Sequence, residues 1–147
     1  MGALHAGLSS VPVNFHLNAE EAAYILNDSG ARLLFTGPEN LARSVEAVAQ
    51  LPNAIPIIVW RADGALSAGV ESLESLLAAA SDAEPVDDVP PRPNMLYTSG
   101  TTGFPKGVDL PPTMFAGGKN IAEHVAVLAA NRFASLGVHL EIGRAHV

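Results

Sequence analysis

The chain has 147 residues, of which 48% are hydrophobic and 16% charged, and it carries a net charge of −7. That length suits one domain, able to bury roughly 68–70% of its unfolded surface, and the composition is that of a globular chain and not a disordered one. The acidic balance argues against a nucleic-acid partner, the lack of cysteine excludes disulfides, thiolate metal sites and cysteine nucleophiles, and no run of ~20 apolar residues could span a bilayer.

In chain order, Ser10 to Phe15 reads as a short extended run. Asn18 and Glu21 have the spacing of a capping box, so a helix is predicted from near Ala19 through Ser29, ending at Gly30, a residue suited to the left-handed position after a helix. Ala31 to Thr36 reads as a buried strand. Pro38 suits a first helical turn, and Leu41, Val45 and Val48 follow at helical spacing. Ala54 to Trp60 is a second β-rich run, with Trp60 expected in the core. A turn at Arg61 to Ala65 leads to a helix over Val70 to Ala80, with Leu73, Leu76 and Leu77 on one face. The alternation is that of a parallel or mixed sheet with flanking helices, an α/β fold.

Residues 81–94, with four prolines and four acidic residues, show no periodicity. They read as a stiff connector or, in the functional alternative, a docking segment. Met95 to Tyr97 then starts a strand, Val108 to Leu110 resumes an apolar or strand-like run, and a hairpin or strand-loop-strand geometry is expected. A long helix is predicted from near Thr113, with Ile121, Val125 and Leu128 on one face and Lys119, Glu123 and Arg132 away from it.

The connection inside that hairpin is the informative stretch. YTSGTTGFPKG, Tyr97 to Gly107, holds four Ser or Thr hydroxyls, three glycines and one of only two lysines in the chain. A phosphate chain is strongly hydrated, and a site for it must replace water with closely spaced donors. Gly100, Gly103 and Gly107 allow backbone N–H groups to approach, Thr98, Ser99, Thr101 and Thr102 add hydroxyls, and Lys106 adds a positive charge. Pro105 fixes its own torsion and restricts Phe104, which launches Lys106 from a defined place. The spacing is neither a Walker loop nor G-x-G-x-x-G. Glycines and hydroxyls alone would fit a polar turn as well as a phosphate loop.

The full string closely resembles the phosphate-binding loop of the adenylate-forming superfamily, which comprises acyl-CoA synthetases, luciferases and peptide-synthetase adenylation domains. Thr98, Ser99, Gly100, Thr101, Thr102, Gly103, Pro105, Lys106 and Gly107 fall on motif positions. The stretch from Gly2 to Thr36 is similar to the segment that precedes the loop in these enzymes, and residues after the loop look most like bacterial fatty-acyl-CoA synthetases. Many relatives carry a histidine where Pro112 stands, so the role of that histidine has no counterpart here.

The resemblance implies a ligase. A carboxylate and ATP give an acyl-adenylate and pyrophosphate, and coenzyme A then displaces AMP as a thioester. Thr98 through Gly103 would contact the ATP phosphates and Lys106 would stabilise charge on the departing pyrophosphate. Mg2+ is implied as counterion, with its ligand outside this chain and no metal ligand nameable within it. The family's acidic magnesium motif, ribose aspartate, hinge arginine and adenylation lysine would lie further downstream, whereas 40 residues follow Gly107.

The expectation is therefore that residues 1–140 are an incomplete piece of the large N-terminal AMP-binding domain. Residues 81–94 would be its linker and residues 95–108 its phosphate-loop region, and the piece would be inactive without the remainder of the parent polypeptide. Glu141 to Val147, EIGRAHV, resembles a translated sequencing adapter and reads as a non-native tail. The start has no basic, apolar signal-peptide pattern, and a soluble cytoplasmic protein is expected. The competing classes are a small non-catalytic nucleotide-binding α/β module and an interaction domain whose glycine loop is coincidental. His5, His16, His124, His139 and His146 include no pair at metal-ligand spacing and read as surface or core residues.

Overall fold

The computed structural model describes residues 3, 6–83, 88–98, 104–108 and 118–134. The chain divides into two units. One comprises Met1–Ser10, Glu84–Asn94 and Asp109–Val147, and the other Val11–Ala83 and Met95–Val108.

The second unit is built on helix α1, Ala19–Asp28, which begins and ends as its local chemistry dictates. The Asn18 side chain accepts from the Glu21 N–H, and the Asn18 N–H donates to the Glu21 carboxylate, each at 2.9 Å. At the other end Gly30 takes φ +64°, its N–H donates to Asn27 O, and the Ala31 N–H donates to Leu26 O. Those two bonds satisfy carbonyls that the helix leaves open.

Strand β1, Leu34–Thr36, leads through a 3-10 turn at Pro38–Asn40 into helix α2, Leu41–Ala49, and then to strand β2, Ile57–Val59, and strand β3, Val70–Ser72. The three strands form one parallel sheet in the order β1-β2-β3. Leu34, Ile57, Val59 and Val70 share one face in this register. Ala23 and Leu26 of α1 and Ala47 and Val48 of α2 pack on that face and close the core. Central strand β2 is buried at all three positions.

Four expectations are corrected here. The β1 strand is not buried throughout, because Phe35 points to the opposite face and is 52% exposed. On α2 the buried residues are Ser44, Ala47 and Val48, while Val45 is exposed. Ser44 turns inward because its hydroxyl donates to Thr36 Oγ1 at 2.9 Å. Val70–Ser72 is a strand and not the first turn of a helix. Gly69, at φ +81°, turns the chain so that Val70 pairs with Ile57, and Ser72 then caps the N–H of Ser75 to start helix α3, Leu73–Ala79, on which Leu77 is exposed. Trp60 is not core, being 38% exposed at the end of β2.

The remaining strands, β4 (Leu96–Thr98) and β5 (Lys106–Val108), form an antiparallel hairpin whose second strand starts at Lys106 and not at Val108, so Lys106 and Gly107 belong to the strand and not to the connection; residues 109 and 110 lie outside the described residues. In the other unit, helix α4 spans Ile121–Ala134. Gly118 to Asn120 are bends, so the helix does not run through them from Thr113, and residues 113–117 lie outside the described residues. Asn120 supplies the start by accepting from the Glu123 N–H at 2.9 Å. Ile121 is buried, as expected, whereas Val125 is exposed and the Leu128 side chain is outside the described residues. The Ile121 N–H donates to Val89 O, the Ser9 hydroxyl to Pro93 O and the Ser10 hydroxyl to Asn94 Oδ1, and Pro91 is buried.

Candidate functional site

The hairpin pairs Leu96 with Val108, Tyr97 with Gly107 and Thr98 with Lys106. Thr98 and Lys106 are thus the last pair before the connecting residues, and the Thr98 hydroxyl donates to the Lys106 carbonyl at 3.4 Å. A contact that long is weak, so the hydroxyl can turn to a better acceptor. Lys106 is exposed. The structure therefore brings together Thr98 and Lys106. Ser99, Gly100, Thr101, Thr102 and Gly103 lie outside the described residues.

Gly107 has a reason that its motif position does not reveal. A Cβ there would lie 3.0 Å from Tyr97 Cζ, so the missing side chain is what lets the Tyr97 ring cross the partner strand. From that position the Tyr97 hydroxyl donates to Asp28 Oδ2 on α1 at 2.6 Å. Phe104 stacks on Tyr24, one turn earlier on the same helix, with centroids 4.7 Å apart and planes inclined by 26°. Burial, then the hydrogen bond and charge of Asp28, push the Tyr97 phenol up to about 12 from its ordinary 10.0.

A raised value in the fold means that the protonated phenol is favoured there. Its contribution is fully present below pH 10 and is lost as the pH rises through about 12.

Sequence reasoning did not single out Tyr24, Asp28, Tyr97 or Phe104. The available signal was the four-residue spacing of Tyr24 and Asp28, which sets a ring and a carboxylate on one side of α1.

A separate cleft of about 440 Å3 lies beside β1 and α2, with Phe15, Phe35, Arg43, Ser44 and Trp60 in its wall. The Arg43 guanidinium donates to the Phe15 carbonyl across it. His16 is exposed and packs on Phe15, while His124 is buried and its Nδ1 has no hydrogen-bond partner among the described residues. Among the described residues no group of three or more His, Asp or Glu side chains could hold a metal, so none is assigned to Mg2+. Among them, too, no helix is long and apolar enough to cross a membrane.

The family model described as AMP-binding enzyme matches residues 1–115. The chain belongs to the AMP-binding enzyme family. Among its AMP-binding relatives, a sulfoacetate–CoA ligase of Cupriavidus necator is 34% identical over 137 residues, which cover 90% of this chain and 25% of that ligase. A 4-hydroxybenzoate–CoA/benzoate–CoA ligase of Rhodopseudomonas palustris is 38% identical over 112 residues, covering 73% of this chain and 20% of the other. The solved acyl-CoA synthetase of Brucella canis superposes with a TM-score of 0.61 at 29% identity, over 76% of this chain and 20% of that one. The chain thus spans a quarter or less of the length of these AMP-binding relatives, and the α/β fold read from its sequence is that of a part of their N-terminal domain.

Proposed function

We propose that the chain contributes the pyrophosphate-holding loop of an AMP-forming acyl-CoA synthetase, and that the rest of the parent polypeptide supplies the groups that complete the reaction. In the first step a carboxylate oxygen attacks the α-phosphorus of ATP and the bond to the bridging oxygen breaks. Pyrophosphate leaves with that bonding pair. In the second step the thiol sulfur of coenzyme A attacks the acyl carbon, AMP departs, and the thiol proton passes to solvent or a base.

The observation that supports this reading is the register that sets Thr98 opposite Lys106. It puts a hydroxyl and an ammonium-bearing residue at the two ends of one glycine-rich connection. Donors fixed in this way would align the β and γ phosphates and meet the charge that develops as pyrophosphate departs. Ser99 to Gly103 would add backbone and hydroxyl donors between them. Mg2+ would neutralise phosphate charge, held by ligands outside this chain. The cysteine-free composition suits the reducing cytoplasm as the working compartment.

A self-contained nucleotide-binding module is the less favoured reading, because the chain aligns with only a quarter or less of the ligases it is similar to. A carboxylate-dependent ATP–pyrophosphate exchange assay separates the two. The purified 147-residue chain is expected to show no exchange. Exchange that Lys106→Ala abolishes would overturn the dependence on further polypeptide.

A further inference from the structure

We propose that Asp28 and Tyr24, one turn apart on α1, are positioning residues that hold the phosphate hairpin at both ends of its loop, Asp28 through Tyr97 and Tyr24 through Phe104. The inference rests on the reading of this hairpin as a pyrophosphate site.

Two strands of three residues each make a hairpin that is marginal alone. All three β5 residues are exposed, as are Leu96 and Thr98, so the hairpin has little core of its own. What fixes it to a larger element is a pair of contacts to one helix. Tyr97 precedes Thr98 and is tied to Asp28 by a short hydrogen bond to a carboxylate, a stronger kind than one between neutral groups. Phe104 precedes Pro105 and Lys106 and is tied to Tyr24 by ring stacking. The connection is therefore fastened just before its first donor and just before its cation.

Of the eleven residues from Tyr97 to Gly107, nine fall on family motif positions, and Tyr97 and Phe104 are the other two. These are the two that reach α1. Their task is mechanical, and their partners lie 69 residues upstream for Tyr97 and 80 for Phe104. A site whose donors are already held in place loses less freedom when its ligand arrives, so affinity for pyrophosphate should depend on residues that do not touch it.

The test uses the 147-residue chain with Tyr97→Phe, Asp28→Ala, Asp28→Asn and Phe104→Ala. Amide hydrogen exchange of residues 95–108 is expected to accelerate about fivefold in Tyr97→Phe and Asp28→Ala, as for loss of one net hydrogen bond, with Ile57–Val59 unchanged as internal control. Asp28→Asn keeps an acceptor oxygen and should recover most of the protection. The dissociation constant for inorganic pyrophosphate should rise by about threefold to tenfold in the same variants and in Phe104→Ala.

A spectroscopic signature accompanies this. In a Tyr24→Phe background Tyr97 is the sole tyrosine; the loss of Tyr24, a lesser cause of the raised value, lowers the starting point, and adding Asp28→Ala should lower the Tyr97 ionisation further towards 10.0 without reaching it, because burial persists. Unchanged hairpin exchange and unchanged pyrophosphate affinity in both Tyr97→Phe and Asp28→Ala would overturn the inference while the phosphate reading stood. Accelerated exchange in a chain that binds no pyrophosphate even as wild type would overturn the phosphate reading and leave the fastening of the hairpin in place.

Discussion

A methyl group on Gly107 would meet the Tyr97 ring at 3.0 Å, the Tyr97 hydroxyl at 3.1 Å and Met95 Sδ at 3.3 Å. The Met95 thioether can move aside, but the ring and its hydroxyl cannot yield freely, because moving the ring lengthens the 2.6 Å bond to Asp28. Gly107→Ala is therefore expected to cost about 1–3 kcal/mol through overpacking. The readout is local hairpin stability by amide exchange, with the Tyr97 ionisation falling in parallel as the ring leaves its site. In the sequence this glycine reads as one of three that give a phosphate loop its freedom. The structure gives it a different physical cause, a close approach by the side chain across the strand, and no spacing rule contains that.

At the scale of elements, what was legible is what local chemistry decides. The α1 cap is an example, since both of its hydrogen bonds join residues three apart, and so is the Gly30 stop. Asn18→Ala should remove the side-chain acceptor of the Glu21 N–H and cost about 1 kcal/mol, read as a lower melting temperature. Because α1 carries Tyr24 and Asp28, the same change should loosen the hairpin. The same Asn-x-x-Glu signal, Asn120 with Glu123, marks the start of α4, and it lies inside the longer pattern that predicts a helix from near Thr113. Val70–Ser72 departs from its predicted helix for another reason. Val70, Leu73 and Leu77 repeat at helical spacing, but the partner that makes Val70 a strand residue is Ile57, which periodicity within the segment cannot reveal. Val45 and Trp60 failed alike, each apolar and in phase yet facing outward. The hairpin itself was legible from its turn chemistry, whereas its fastening to α1 joins residues too far apart in sequence to be read.

At the scale of the whole molecule, the parallel sheet is the telling feature. Sheets of this kind are ordinarily covered on both faces. Here Leu34, Ile57, Val59 and Val70 lie under α1 and α2, whereas on the other face Ile58 is buried but Phe35 beside it is half exposed. That is consistent with a chain spanning a quarter or less of its relatives' length. The central claim is narrower than the parent reaction. It is that Thr98 to Lys106 hold a pyrophosphate group and that Lys106 supplies charge for it.

The direct measurement is a 31P NMR titration of inorganic pyrophosphate with the wild-type chain and with Lys106→Ala. The account predicts saturable broadening with a dissociation constant of about 1 mM, and a weakening of about tenfold, or ~1.4 kcal/mol, on removal of the ammonium group. Pyrophosphate affinity equal in the two proteins, or none in either, would contradict it.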